Sequence, residues 1–528
     1  MQRVGAETGI AREFKDIFEL SGVPAFNQYY AFGIFIWKWI YRGFYKAWHL
    51  IPAPTIKDPK ATREIFRMNA AKAVCAELAG LVWGEECEIN VTMDGRQQDE
   101  ENKTQDPLGA FIKKVLEKNA FREKMQENIE QGLALGGAAV KVWHEERHDS
   151  QGNAVPGSGE IRLGYCMADQ FVPTTWDNAK VTEGVFISRQ AKNGYYYTRL
   201  EWHKWDGLTY TVTNELYRSD MQRGASAESQ DILGVRWPLA DVFPYLDEET
   251  VIPVEESLFS YWRTPIANNL DDNSPLGMSI YGNALETLHA LDICYDSFVR
   301  EFRLGKKRII VPARAVRTVA DPLTGELRRY FDPGDETYEA LASDDPNDLK
   351  INDNSVVLRV QEHVDAINAF LNILCLQIGF SAGTFTFDTS KGLMTATQVV
   401  SQNSKTYKTI RTVQNQLRPA IEHMIRNIID VAILYGMEWE GESVESLAAN
   451  GYHVNIVFDD GITQDRQTNI NEGTALVKAG LLSKYKFMTD PKYGQGLTPE
   501  EAREELARIK AEGPVNGSGV QIRENTAE

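Results

Sequence analysis

One long run of helical period constrains this chain more than any other feature. From about Thr395 to Tyr435 the positions Val399, Asn403, Tyr407, Ile410, Val413, Leu417, Ile421, Met424, Ile428, Val431 and Tyr435 recur at three-and-four spacing, which puts them on one helix face. About 40 residues at 1.5 Å each make a helix of roughly 60 Å, so other elements have to be arranged along it. Pro419 lies well inside the run. It removes a backbone donor and crowds the preceding turn, so a bend is expected there. The chain has 528 residues, room for about three to four structural units, which excludes a single small module. Its 43% apolar and 25% charged residues exclude wholesale disorder.

Other helical patterns precede and follow. The pattern from Pro59 to Trp83, with Ile65, Met68, Ala71, Val74, Cys75, Leu78, Leu81 and Val82, predicts an amphipathic helix, and a second runs from about Pro107 to Leu135. Gly136-Gly137 should end it in a left-handed residue, leading to a strand over Ala138–His144. A helix over Tyr281–Leu304 places Ala284, Leu288, Leu291, Tyr295, Phe298 and Phe302 at alternating spacings of four and three, a heptad seam that wants neighbouring helices. Its other face carries Glu286, Asp292, Asp296 and Arg300 and reads as partly wet. Gly305 ends it, and Lys306, Lys307 and Arg308 follow at its negative dipole end. After a strand-and-turn insert over 309–360, helical spacing resumes at Val364, Ile367, Phe370, Leu371, Leu374 and Ile378. The insert thus caps a hairpin of two helices. The segment Ser381–Leu393, with Gly383 and Gly392 near its ends and Lys391 within it, has no helical period and is a loop.

The middle third changes period. Asn193-Gly194 and Asp206-Gly207 separate alternating segments and favour the two-residue turns of a β-meander. A strand is expected over His453–Phe458, a helix over Asp465–Ala479, and a last helix opened by Thr498-Pro499-Glu500-Glu501. Residues 513–528 are Gly-rich and polar and are read as a disordered tail. The fold class is α+β.

Charge and motifs narrow the chemistry. There are 56 Lys and Arg against 75 Asp and Glu, a net of −19, which argues against coating nucleic acid by counterion release. Five scattered cysteines lack paired spacing and are read as reduced and structural, in a chain made in a reducing cytoplasm with no leader pattern over Gln2–Asp16. No phosphate-cradle, dinucleotide, zincin or nucleophile-elbow motif occurs, so no cofactor or resident metal and no enzymatic activity are expected. His144 and His148 flank Glu145-Glu146 but fall at a strand end, where a polar turn is the simpler reading. The pairs Asp271-Asp272, Asp344-Asp345 and Asp459-Asp460 lack a second convergent group for a metal hydrolase site. Residues 29–51 are dense in aromatics but broken by Lys38, Arg42, Lys46 and His49, leaving no span of about 20 apolar residues. The segment reads as a helix packed in its own protein or against a neighbouring subunit. A peripheral membrane anchor is the alternative.

Several stretches together resemble the portal proteins of tailed bacteriophages, of the type found in long-tailed phages of Gram-positive hosts. They are Ala70–Ile89, Gln131–Trp143, Leu304–Pro312, Gly392–Ile410, Phe458–Asp465 and Leu476–Lys484, in family order. The resemblance implies a portal-type subunit with a β-containing wing (1–275, with strand 453–458 returning to it), a stem of two helices (281–304 and 364–380) and a small α/β clip (306–360). It also implies a tunnel loop (381–393), the long kinked helix (395–435) and a helical crown (465–512). Such subunits form a ring, usually of about twelve copies, at one capsid vertex of the virion, assembled in the host cytoplasm. The ring passes double-stranded DNA non-specifically during packaging and ejection. Implied partners are the terminase, a head-completion adaptor, and the major capsid and scaffolding proteins, with no membrane. Thr384, Thr386, Lys391 and Lys405 would line the tunnel, and Lys306, Lys307 and Arg308 would mark the stem–clip junction. Leu288, Leu291, Tyr295, Phe298 and Phe302 would pack the stem, and Pro419 would kink the long helix.

Overall fold

The computed structural model describes residues 28–54, 58–84, 87–94, 106–146, 155, 159–177, 180–206, 209–220, 233–271, 274–305, 308–310, 317–320, 327–330, 352–354, 357–386, 404–458, 466–490, 493 and 499–512. The chain divides into two compact units, Met1–Phe387 with Thr409–Asp459, and Asp388–Lys408 with Asp460–Glu528.

In the first unit, helix α1 (Gln28–Tyr41) and a single turn α2 (Lys46–His49) lead into strands β1 (Leu50–Pro52) and β2 (Thr62–Glu64), which pair antiparallel. Helix α3 covers only Ala70–Val82, so the helix expected from Pro59 starts eleven residues late. The reason is local: Thr62–Glu64 is held in a strand, Ile65 N–H donates to His49 O at 3.0 Å, and Asn69 before the helix is left-handed at φ 54°. Strand β3 (Glu88–Met93) follows.

The run expected as one helix over Pro107–Leu135 is two, α4 (Pro107–Lys118) and α5 (Phe121–Leu135). Asn119 makes the break. Its amide donates to Val115 O at 2.8 Å and Ile161 O at 2.9 Å, and its carbonyl accepts from Leu163 N–H at 3.0 Å, the side-chain competition that draws Asn out of helix interiors. Gly136 ends α5 with φ 99°, as the sequence predicts.

The sheets follow. β4 (Gly137–Glu145), β5 (Glu160–Met167) and β12 (Phe259–Arg263) form a three-stranded sheet in the order β12-β4-β5. β6 (Phe171–Asp177), β7 (Lys180–Lys192), β8 (Tyr195–Asp206), β9 (Thr209–Asp220), β10 (Val235–Trp237) and β11 (Glu249–Ile252) form a six-stranded one, β10-β9-β8-β7-β6, with β11 also on β9. The expected meander is β7-β8-β9. Asn193 and Gly194 both have positive φ, 53° and 80°, the requirement of the tight turn whose twist suits a hairpin; of the second turn, Gly207 lies outside the described residues. Phe171, Phe186 and Phe259 pack the two sheets together. Lys141 on β4 also reaches Glu201 on β8 at 2.6 Å.

Helix α6 (Leu285–Leu304), entered through a short 3-10 turn, packs on α7 (Val360–Ile378). Between them lie two short antiparallel pairs, β13 (Arg308–Ile310) with β16 (Asn352–Asn354), and β14 (Arg317–Ala320) with β15 (Leu327–Tyr330). Helix α8 (Ser404–Leu434) runs through Pro419, whose ring is on the exposed side; the start of the run, 395–403, lies outside the described residues. Gln414 donates to Val82 O at 3.3 Å and Arg418 to Ile456 O at 3.0 Å, tying α8 to α3 and to a later strand. A small hairpin, β17 (Glu438–Trp439) and β18 (Glu442–Ser443), a short helix α9 (Val444–Ala448) and strand β19 (Tyr452–Val457) complete this unit, with β19 antiparallel to β3.

The second unit holds α10 (Arg466–Lys478), α11 (Lys484–Thr489) and α12 (Pro499–Glu512). The first and last match the sequence pattern. Helix α11 was not foreseen: it is short, and its start signal is Ser483, whose hydroxyl accepts from Lys486 N–H at 3.0 Å. Residues 513–528 lie outside the described residues.

Candidate functional site: the helix pair and the loop at its end

The seam of α6 is buried where it leaves the sheets and opens toward the insert. Leu288 and Leu291 are buried, Tyr295 and Phe298 are half-buried, and Phe302 is 47% exposed. Phe298 packs against both Phe302 and His363 of α7. The opposite face, expected to be partly wet, is mixed: Glu286 is exposed and Arg300 half-buried, whereas Asp292 and Asp296 are buried. His49 Nε2 lies 2.9 Å from Asp292, which also accepts from Met68 N–H at 2.8 Å. Arg63 makes a two-pronged pair with Asp296 at 2.9 and 2.6 Å, and Phe66 N–H adds a third contact at 3.2 Å. Hydrogen bonds from Arg63 hold the Asp296 carboxyl below its ordinary range, against the push of burial. The segment around β1 and β2 is thereby clamped to α6.

The aromatic segment 29–51 is part of the same assembly. Trp37 is 1% exposed and Tyr30, Ile34 and Ile40 are buried. Tyr30 O–H donates to Gly277 O at 2.5 Å, Tyr281 O–H to Trp37 O at 2.9 Å, and Lys38 pairs with Asp169. Trp37 thus faces the protein interior, as expected for a helix packed in its own protein, while Trp39 on the same helix is 36% exposed. Among the described residues no helix is long and apolar enough to cross a membrane.

At the insert end, Glu301 near the end of α6 meets Arg359 at 3.0 Å and His363 at 3.8 Å near the start of α7, so the helices run antiparallel. Hydrogen bonds from the Arg359 side chain and backbone hold the Glu301 carboxyl down to about 2. At the other end α7 stops at Gly379, φ 88°, whose carbonyl accepts from Thr409 Oγ1 at 2.7 Å. The loop then folds back along α7. Gly383 N–H donates to Asn372 at 2.8 Å, Thr386 O–H to Asn368 at 3.4 Å and Thr384 O–H to Ser381 O at 2.7 Å. Asn368 and Asn372, four apart on one helix face, are supports that the sequence reading passed over, although their spacing is visible. Glu301 and Arg359 are 58 residues apart and have no local signature.

The candidate residues are therefore unequally placed. Thr384 and Thr386 sit at the loop's start, and Lys405 is in the first turn of α8. Arg308 is the first residue of β13, opposite Asn354. Lys306, Lys307, Lys391, Asp272, Asp344, Asp345, Asp459, Asp460 and His148 lie outside the described residues. His144 stacks on Tyr435 at 3.9 Å, and among the described residues no three His, Cys, Asp or Glu side chains gather as a metal site. All five cysteines are free thiols.

A family model described as "Phage portal protein, SPP1 Gp6-like" matches residues 37–514. That is most of the chain, and the protein belongs to this family of phage portal proteins. Its members are structural and assemble as oligomeric rings in phage particles, and the mixed helix-and-strand architecture is consistent with a portal-type fold. Among curated proteins none matches. One solved structure, "Neck of empty GTA particle computed with C6 symmetry", shares 11% identity over 80% of this chain and 88% of its own, with a TM-score of 0.36; so loose a likeness carries no argument.

Proposed function

We propose that this chain is the subunit of a ring at one capsid vertex, the conduit through which DNA is packaged and ejected and the platform on which terminase and head-completion proteins dock. In this reading residues 1–275 with 453–458 are the wing, facing the major capsid and scaffolding proteins. Helices α6 and α7 are the stem, 306–360 the clip that binds the terminase and the adaptor, 381–393 the tunnel loop, and 465–512 the crown.

The observation that carries the reading is apolar surface left outside the helix pair. Ile293, Phe302 and Leu304 on α6 and Ile373 and Leu376 on α7 are exposed, Leu376 at 69%. Side chains of this size on paired helices are stable in water when a like helix pair covers them, and copies set side by side around an axis do so. A net charge of −19 suits a bore through which a polyanion slides, since a basic wall would hold the duplex by counterion release. Contact with the DNA backbone then falls to a few cations, Lys391 and Lys405. The hydroxyls of Thr384 and Thr386 donate within the chain and hold the start of the loop against α7.

The deciding experiment is the native mass of the purified full chain, with negative-stain images of the same sample. A particle of about twelve times 59.6 kDa with a central hole is the expected result. A stable monomer at high concentration, with no ring on adding scaffold and capsid proteins, would overturn the reading.

A further inference from the structure

The ring reading leaves the outer end of the β7-β8-β9 sheet unexplained. There Tyr195, Tyr196 and Tyr197 open β8, and Asp220 closes β9. Tyr197 faces Arg218 directly across the strands, Tyr195 faces Asp220, Arg218 faces Val235 and Leu216 faces Trp237. Side chains two apart share a face, so Tyr195, Tyr197, Arg218 and Trp237 stand on one side of the sheet. Tyr195 and Trp237 are on the sides of residues 220 and 216, with Arg218 between them. The guanidinium carbon lies 4.6 Å from the Tyr195 ring centre and 3.4 Å from that of Trp237. Tyr195 and Lys192 are exposed, and Tyr197, Arg218 and Trp237 are half-exposed.

A guanidinium flanked by two rings has its flat faces covered and its N–H edge directed outward, the geometry in which Arg binds a carboxylate with two parallel hydrogen bonds. Among the described residues no carboxylate is within ion-pair distance of Arg218, although acidic residues outnumber basic ones in the chain. Several other long cations of the two sheets, Lys141, Arg199 and Arg162 among them, have acidic partners. Tyr, Trp and Arg, preorganised and rimmed by Lys192 and Gln190, are also the residues that dominate the energy of protein–protein contacts.

We propose that this face docks an acidic protein segment, with a Glu or Asp carboxylate paired edge-on to Arg218 and an apolar side chain of the segment lying against Tyr195 and Tyr197. A nucleic acid fits less well, because two cations on a strongly acidic chain yield little counterion release, whereas one bidentate pair beside aromatic surface suffices for a short peptide. The inference rests on the sheet alone and holds for a single copy or a ring.

The test uses the full chain and a fluorescein-labelled synthetic peptide alternating Glu with Phe, read by anisotropy, with a Gln-for-Glu peptide and a short DNA duplex as competitors. Saturable binding of the Glu peptide is expected, weakened about tenfold by the Gln exchange and by Arg218→Ala. Arg218→Lys should weaken it nearly as much, because an ammonium has no fork, while Arg122→Ala, on α5 away from the sheet, leaves it unchanged. Arg218→Lys keeps the charge and the stem of the side chain, so it separates a lost contact from a lost fold; near-UV circular dichroism of each variant checks the latter. Absence of saturable binding, undiminished binding to Arg218→Lys, or tighter binding of the duplex than of the peptide overturns the proposal.

Discussion

Asp296 shows how the segment around β1 and β2 is fixed to the helix pair one contact at a time. Its side chain is 6% exposed and meets both prongs of Arg63. Arg63 is itself 29% exposed, so water screens part of the pair. Replacing Asp296 with Ala strands the Arg63 charge and the Phe66 amide and is expected to cost about 2–3 kcal/mol at neutral pH, measured by denaturant unfolding. The pH dependence has a definite sign. The folded carboxyl titrates below its ordinary range, so its contribution is complete above the unfolded value of about 3.9 and is lost as pH falls through the folded one. The gap between wild type and variant should therefore close only in strong acid. Read from the sequence, Asp292 and Asp296 were charges on a helix face with no visible partner, because Arg63 lies 233 residues away and periodicity is blind to such distances.

At the scale of elements, helix period carried most of the reading and failed where a side chain overrode it. The break between α4 and α5 contains neither Gly nor Pro and the apolar spacing runs on across it, so nothing local announced that Asn119 would bond to the strand β5. Asn119→Ala should destabilise by about 2 kcal/mol, leaving Ile161 O and Leu163 N–H without their partner. Ala120 sits at φ 46°, where a Cβ is strained, so Ala120→Gly should stabilise by about 0.5–1 kcal/mol despite the looser unfolded chain. Opposite shifts in thermal midpoint for the two neighbours would establish the break as designed by Asn119. Pro419 behaves differently. In an exposed helix interior Pro→Ala is worth about 3 kcal/mol; here Gln414 and Arg418, just before it, hold Val82 and Ile456 in a geometry that already includes the proline. Pro419→Ala is expected to change stability by less than about 1 kcal/mol, and a gain near the full helix value would show that α8 docks as well without the proline.

Across the whole molecule, the helix hairpin with a β insert, the meander and the long helix were legible in the sequence, because each has a period or a turn dipeptide of its own. Ile373 and Leu376 already fall off the spaced face Ile367, Leu371, Leu374 and Ile378 of α7, and the structure leaves them exposed; what a single sequence could not disclose is that no other element of the chain covers them enough to bury them. That surface yields the sharpest expectation for the assembled protein. Leu376→Glu places a charge where a neighbouring helix pair would have to desolvate it, at a cost of several kcal/mol per copy. In an isolated chain Leu376 is 69% exposed, so the same change should alter stability by no more than about 0.5 kcal/mol. Native mass should therefore fall from a ring to a single chain while the far-ultraviolet circular dichroism and thermal midpoint of the separated chain stay those of a folded subunit. Because the substitution repeats in every copy of a closed ring, its effect is multiplied by the number of interfaces, and partial assembly is not expected. A variant that still forms rings of unchanged mass would mean that Leu376 faces the solvent of the assembly, and the lateral contact would then have to be carried by Ile293, Phe302 and Leu304 on the neighbouring helix.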